Sequence, residues 1–231
     1  VKALEAVNVS MHVKEARLIE NVSFTLKKGT VLGLVGHNGA GKSTLIKTIM
    51  GVLEKTTGSI VVNETFDQDA HLLEYKQCLS YIPEEPLLLT ELTVMQHFQL
   101  YGQSYGLAEK ELNARVDPYI SGFELKDKLN EYPDALSKGM RQKVQTICAL
   151  LPDTSILIID EPFMGLDVYA MEYLVDLIRE KVSNGTSVIL STHQLERVKD
   201  IADSYLMLQE GQVQEEGPIS AFDIIQRRTE I

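Results

Sequence analysis

The sequence predicts an α/β fold: a mostly parallel sheet, an antiparallel β-subdomain beside it and a helical subdomain inserted between its strands. Three observations predict this. Short apolar runs recur at 31–35, 59–62, 79–82, 156–159, 187–191 and 205–208, with turn signals and helical patterns between them, an alternation that marks α/β layering. Turn signals at Lys27-Lys28-Gly29 and Thr57-Gly58 give the flanking segments an antiparallel reading. Between about 88 and 150 the strand signal fades and helical spacing takes over.

Taken in order, the first 30 residues and the stretch 59–66 form the antiparallel flank. The runs near 31, 156 and 187 are apolar at nearly every position, as parallel strands covered on both faces require. A helical stretch follows the first of them and ends at Gly51. Inside the inserted segment, Val94, Phe98, Tyr101 and Tyr105 recur at spacings of three or four. The last helix there places Met140, Val144, Ile147 and Leu151 on one face, carries Arg141, Gln142 and Lys143 near its start, and is closed by Pro152. Residues 206–209, Glu210-Gly211 and 212–214 read as a hairpin. The expected organisation is one unit over 1–231: a core with its β-subdomain at about 1–87 and 151–217, a helical subdomain at about 88–150, and a tail at 218–231.

The formal net charge of −11 argues against non-specific nucleic-acid binding, which relies on clustered Lys and Arg. Cys78 and Cys148 lie far apart and match no metal-ligand spacing; Cys148, within an apolar stretch, reads as a core residue. No run approaches the roughly 18 apolar residues that span a bilayer, so the chain is expected in the cytoplasm, with any membrane role arising through another subunit.

Gly36-His37-Asn38-Gly39-Ala40-Gly41-Lys42-Ser43 fits G-x-x-x-x-G-K-[ST], directly after an apolar strand and before a helix, which is the context of a P-loop NTPase core. The glycines let successive backbone N–H groups face one anion, and the helix adds its positive end. Lys42 supplies a point charge for the β- and γ-phosphates, and the Ser43 hydroxyl is a hard ligand for Mg²⁺. With Thr44, residues 36–44 form the expected ATP-binding set. Asp160-Glu161 closes the apolar run 156–159 at the sheet edge where such folds bind ligands. Asp160 is expected to hold Mg²⁺, and Glu161 to orient or deprotonate the attacking water. His193 follows the run 187–191 and should emerge at the same edge, as a γ-phosphate sensor on the functional reading; a lone histidine is more often structural.

Leu136-Ser137-Lys138-Gly139-Met140 resembles an LSGGQ signature, and Gly165-Leu166-Asp167 a D-loop. In the order phosphate loop, signature, acidic strand end, D-loop and His193, the chain resembles the nucleotide-binding subunit of an ABC transporter over roughly residues 2–217. The combination of Tyr-Ile-Pro-Glu at 81–84, Ser-Lys-Gly-Met at 137–140 and Asp-Glu-Pro-Phe at 160–163 is similar to the Ecs-type ATP-binding subunits of bacterial exporters. The resemblance implies ATP hydrolysis with Mg²⁺ and a sandwich dimer, as a homodimer or paired with a second ATPase subunit. In it the segment Ser137, Lys138, Gly139, Met140 of one subunit closes over ATP held by the other, with Asp167 in the D-loop. It also implies a separate transmembrane permease, with this subunit peripheral on the inner face of the cell membrane, and a role in peptide export or protein secretion. Two alternatives stay open: a non-transport ATPase of similar fold acting on nucleic acid or ribosomes, against which the acidic balance speaks, and a poorly hydrolysing regulatory subunit.

Three departures from the family pattern feed the second alternative. Met140 stands where Gln would complete a capping box with Ser137. Lys138 replaces a glycine and puts a cation at a helix N-terminus, an unfavourable place that a partner-bound triphosphate would offset and that solvent exposure would make harmless. Glu84 stands at the usual Q-loop glutamine, where it could reach Mg²⁺ or water or remain a solvated loop acid. For adenine stacking the chain offers His12 and then Val13.

Overall fold

The computed structural model describes residues 1–193 and 195–222. Its elements run β1 (Lys2–Val13), β2 (Ala16–Lys27), β3 (Val31–Val35), α1 (Lys42–Ile49), β4 (Thr57–Val62), β5 (Phe66–Asp67), α2 (Leu72–Gln77), β6 (Leu79–Ile82), α3 (Val94–Ser104), α4 (Glu109–Gly122), α5 (Lys138–Leu150), β7 (Ile156–Asp160), α6 (Val168–Ser183), β8 (Ser187–Thr192), α7 (Leu195–Ile201), β9 (Ser204–Gln209) and β10 (Gln212–Pro218). Two sheets result. One is antiparallel, in the order β2-β1-β4-β5; the other runs β10-β9-β3-β8-β7-β6, parallel except for the β9–β10 hairpin.

The central sheet separates two cores. Val31, Val35, Leu157, Ile159, Val188 and Leu190 face the helices of the inserted segment and α6, whereas Leu32, Leu34, Ile156, Ile158 and Ile189 face α1 and the antiparallel sheet. Successive strand residues point to opposite faces, so strands covered on both sides must be apolar throughout, and these are. Cys148 is fully buried in the first core, and burial pushes its thiol far above the ordinary range, so it stays protonated.

Two turn readings change. The β1–β2 hairpin closes at Lys14-Glu15, with Lys14 at φ 55°, while Lys27-Lys28-Gly29 carries the chain from one sheet to the other. Thr57-Gly58 opens β4 instead of preceding it. The Glu210-Gly211 hairpin turn has both residues at positive φ, 50° and 76°, the twist a two-residue hairpin favours. After β10 the described chain makes one short 3-10 turn and sets Phe222 against Tyr205, ring centroids 4.9 Å apart; the rest of the expected tail, 223–231, lies outside the described residues.

Three helices separate β6 from β7. Val94 and Phe98 of α3 are buried, Tyr101 is half-buried, and Tyr105 caps the helix end. A capping box between Thr93 and Gln96 starts it. The C-terminal end of α4 packs on α6: Phe123 meets the Tyr173 ring edge-on at 4.9 Å, and the Tyr173 hydroxyl donates to the carbonyl of Pro118. A Cβ on Gly122 would stand 2.2 Å from that ring. We therefore expect Gly122→Ala to destabilise the fold by about 1–3 kcal/mol, as forced overpacking does, read as a lowered midpoint in urea unfolding with an unchanged slope.

Candidate active site

Strands β3, β8, β7 and β6 are neighbours in that order, with Val35 opposite Thr192, Asp160 opposite Ser191 and Ile82 opposite Ile159. Their C-terminal ends therefore form one row. The segments that begin at Gly36, His193, Glu161 and Pro83 open along a single edge, the edge at which parallel sheets present ligand sites.

The loop between β3 and α1 is packed from behind. A Cβ on Gly36 would lie 2.5 Å from the Leu208 carbonyl oxygen and 2.9 Å from the Ala40 methyl carbon, so only glycine fits. Gly41, at φ 104°, begins α1, and among the described residues no side chain caps that helix. Its first N–H groups thus remain available to an anion. The hairpin turn braces the loop from outside: Gly211 N–H donates to the Ala40 carbonyl at 2.9 Å, and the Gly211 carbonyl accepts from Glu20 N–H at 2.9 Å. Lys42 is buried, and its ammonium donates to the carbonyls of Gly36 and His37 at 2.6 and 3.3 Å.

Across from the loop lie the acids. Asp160 is buried at the end of β7 and accepts a short hydrogen bond from the Ser191 hydroxyl. Burial, reinforced by the carboxylates of Asp160 and Glu84, pushes the Tyr81 phenol far above its ordinary value, and a hydrogen bond to Asp160 adds to the shift; the phenol is thereby kept as a donor. Glu161 is buried as well, and its φ of 48° puts a non-glycine residue in the left-handed region, a strain that persists only where surroundings impose it. Here they do. Its N–H donates to the Ser191 carbonyl at 3.0 Å. Its carboxylate accepts from the Thr192 hydroxyl at 3.0 Å and from His193 N–H at 2.9 Å, and lies 2.9 Å from His193 Nδ1.

Loop and acids face each other across a cleft of about 370 Å³, lined by Asn38, Gly39, Gly41, Lys42, Ser43 and Thr44 on one side and by Glu84, Asp160, Glu161 and His193 on the other, with Leu18 and Met164 at its margins. Among the described residues lining it, one ammonium faces three carboxylates. A larger cleft of about 650 Å³ lies near the opposite ends of β7 and β8, around Arg115, Asp153 and Lys181, but it has no phosphate-binding loop, and Arg115 and Lys181 already bond to Leu151, Pro152 and nearby acids.

Other predicted residues lie elsewhere. Ser137 accepts from Met140 N–H at 3.2 Å and so caps α5; with Met140 in place of Gln, only this half of the capping box forms. Lys138 does not simply face solvent: its ammonium is 2.6 Å from Glu85 Oε1. A Cβ on Gly139 would lie 2.5 Å from the Gly165 carbonyl oxygen, so the signature segment backs onto the D-loop. Asp167 caps α6 by accepting from Ala170 N–H and lies 2.8 Å from Lys143. The hydrogen bond from Lys143, then that from Ala170, holds its carboxyl below the usual range. His12 and Val13 are not among the residues lining the cleft; His12 lies 3.4 Å from Glu20, and Leu18 reaches the cleft instead.

A backbone cradle at a helix N-terminus, facing paired carboxylates across a parallel-sheet edge, defines a P-loop nucleoside triphosphatase. The family of ABC transporters matches residues 19–164, and the chain belongs to it. It is 41% identical to the ABC-type transporter ATP-binding protein EcsA of Bacillus subtilis, over 88% of this chain and 82% of that protein. A solved ATP-binding subunit of an ABC transporter superposes with a TM-score of 0.91 at 37% identity, over 99% of this chain and 93% of that one. At 22% identity, an ATP-binding cassette solved as a dimer in a post-hydrolysis state with ADP and Pi shares the fold, with a TM-score of 0.81 over 94% of this chain and 98% of that one. The chain is thus an ATP-binding, ATP-hydrolysing subunit of an ABC transporter.

Because the Gly36 position is closed by backbone as well as by Ala40, Gly36→Ala should displace the whole loop. We expect it to lower the melting temperature by several degrees, as about 1–3 kcal/mol of overpacking would, and to weaken ATP binding at least tenfold in a nucleotide titration.

Proposed function

We propose that residues 36–44 seat the phosphates of ATP, with Lys42 turning from the Gly36 and His37 carbonyls to the β- and γ-phosphates. The observation that carries this reading is the shared cleft, in which the N-terminal end of α1 faces Asp160, Glu161 and Glu84. Three carboxylates opposite one ammonium repel a bare triphosphate, so a divalent cation has to enter with it. The Ser43 hydroxyl and the carboxylates of Asp160 and Glu84 suit Mg²⁺, a hard cation bound through one or two carboxylates, with phosphate and water oxygens completing its shell. Bound there, Mg²⁺ would neutralise charge on the β- and γ-phosphates. Ser191 orients Asp160 through a hydrogen bond to its carboxylate.

In this assignment Glu161 is the general base. Thr192 and His193 fix both of its oxygens, so the carboxylate is aimed before a water molecule arrives, and the cost of orienting it is met in folding. His193 lines the cleft beside Glu161 and in this reading senses the γ-phosphate. His12 and Val13 remain the candidates for the adenine ring, which extends beyond the phosphates.

Ser137, Lys138, Gly139 and Met140 lie outside the cleft of their own subunit, which supports their acting on ATP held by a second subunit in a sandwich dimer, with Asp167 beside them. No helix among the described residues is long and apolar enough to cross a membrane. The subunit would then drive a separate permease from the cytoplasmic face of the membrane. Likeness to the SkfA peptide export ATP-binding protein SkfE of Bacillus subtilis, 28% identical over 96% of this chain and 92% of that protein, supports the exporter reading, with peptide export or protein secretion as its role.

Two variants test this. Lys42→Ala should lose ATP binding in a fluorescence titration, since among the described residues lining the cleft no other side chain offers an equivalent charge; retained affinity would overturn the cradle assignment. Glu161→Gln should bind ATP-Mg²⁺, accumulate as a dimer in size-exclusion chromatography and lose turnover by two orders of magnitude or more. Hydrolysis at the parent rate would remove Glu161 from the role of base.

A further inference from the structure

The loop after β6 carries two acids between two prolines, Pro83-Glu84-Glu85-Pro86. Both of its ends are clamped to α5. The buried Gln142 donates from Nε2 to the Pro83 carbonyl at 3.0 Å, and the buried Gln145 accepts Leu87 N–H at Oε1, also at 3.0 Å. Proline restricts its own φ and the residue before it, so a clamped segment of this composition has few shapes open to it. Within it the acids part company: Glu84 lines the nucleotide cleft, while Glu85 pairs with Lys138 at the start of α5.

A cation in the first turn of a helix is opposed by the helix dipole, and Glu85 offsets it. The same turn is an anion seat, since its N–H groups have only Ser137 as a side-chain cap. Lys138 and Glu85 are 46% and 68% exposed, so their pairing is weak enough to exchange. Taking the sandwich arrangement proposed above as its basis, we propose that Glu85 is a counter-charge which Lys138 gives up for the terminal phosphate of ATP held by the second subunit. One rigid loop then touches both sites of the dimer: its own through Glu84, and the partner's through the hold of Glu85 on Lys138. Glu85 is a positioning residue. It contacts no nucleotide and sets how readily the signature segment accepts one.

The test measures dimer formation against ATP-Mg²⁺ concentration by sedimentation, in the Glu161→Gln background. Glu85→Gln should lower the ATP concentration for half-dimerisation about two- to fivefold, the scale of an exposed Lys–Glu pair, and the difference should shrink as salt is raised. Lys138→Met should raise that concentration and should cancel the effect of Glu85→Gln in the double variant. ADP binding to the monomer should be the same with and without Glu85→Gln. An unchanged half-point in Glu85→Gln, an equal shift in the Lys138→Met background or an altered ADP affinity would each overturn the exchange. If Glu161→Gln alone forms no dimer with ATP, the sandwich reading fails, and this inference fails with it; a dimer that forms but ignores Glu85 sinks the inference alone.

Discussion

Asp160 lies opposite Ser191 in the ladder between β7 and β8, and the geometry of the cleft follows from that pairing. A slip of one residue would send the Asp160 carboxylate to the other face of the sheet, away from Lys42. Apolar alternation cannot prevent such a slip here, because both faces are buried and apolar. Polar pins at the strand ends do so. Ser80 bonds to Thr154 at 2.8 Å and Asn63 donates to Ser155 at 2.8 Å where β6 and β7 begin; Ser187 receives Gly29 N–H at 2.9 Å where β8 begins. At the other ends stand the Asp160–Ser191 and Glu161–Thr192 contacts. Each is a buried or half-buried polar group whose loss of partner would be costly, so the register that places the acids is the one that satisfies these pins.

The second determinant is α5, which carries polar side chains where a purely structural helix would carry apolar ones. Gln142 and Gln145 are fully buried and hold the 83–87 loop. Lys143 reaches Asp167, Arg141 donates to the Leu136 carbonyl at 2.9 Å, and Lys138 reaches Glu85. A single helix thus ties together the signature segment, the D-loop and the loop that lines the nucleotide cleft. It does so at a price: Gln142 Oε1 is buried without a partner in the protein among the described residues. Apolar residues at 142 and 145 would pack a quieter core and release the loop.

The strands of the central sheet are legible in sequence because burial on both faces makes them continuous apolar runs; 31–35 and 79–82 coincide with β3 and β6. The phosphate loop is legible because its chemistry admits few residues. What escapes is set by contacts between distant segments. A proline-containing stretch reads as a broken helix, yet α4 runs through Pro118, held by Val116 and Ile120 in the core on either side of it. The burial of Gln142 and Gln145 has no signal in periodicity, since polar residues on a helix read as solvent-facing. The turn signals at 27–29 and 57–58 point to antiparallel flanks, but turn chemistry does not say which strands a turn joins. Lys138 alone reads as an unfavourable charge, and Glu85, 53 residues away, supplies its partner only when the chain is folded. Leu18 at the cleft margin is a similar case, placed there by β2 packing beside the Gly211 turn, whose glycine allows the Leu18 carbonyl to come within 2.3 Å of where a Cβ would stand.

That hairpin turn also has a consequence for how the protein is made. Among the described residues β3 finds its ladder partners in β8 and β9, and Ala40 is braced by Gly211. The phosphate cradle leaves the ribosome well before these partners, and its ladder and brace are complete only when the hairpin has been synthesised. At translation speeds of about 5–20 residues per second, the cradle spends on the order of ten to thirty seconds unfinished, so a nascent chain lacks this geometry until the hairpin has emerged. Termination between the end of α1 and the hairpin would leave a chain with the whole phosphate-binding sequence but without the β9 ladder and the Gly211 brace.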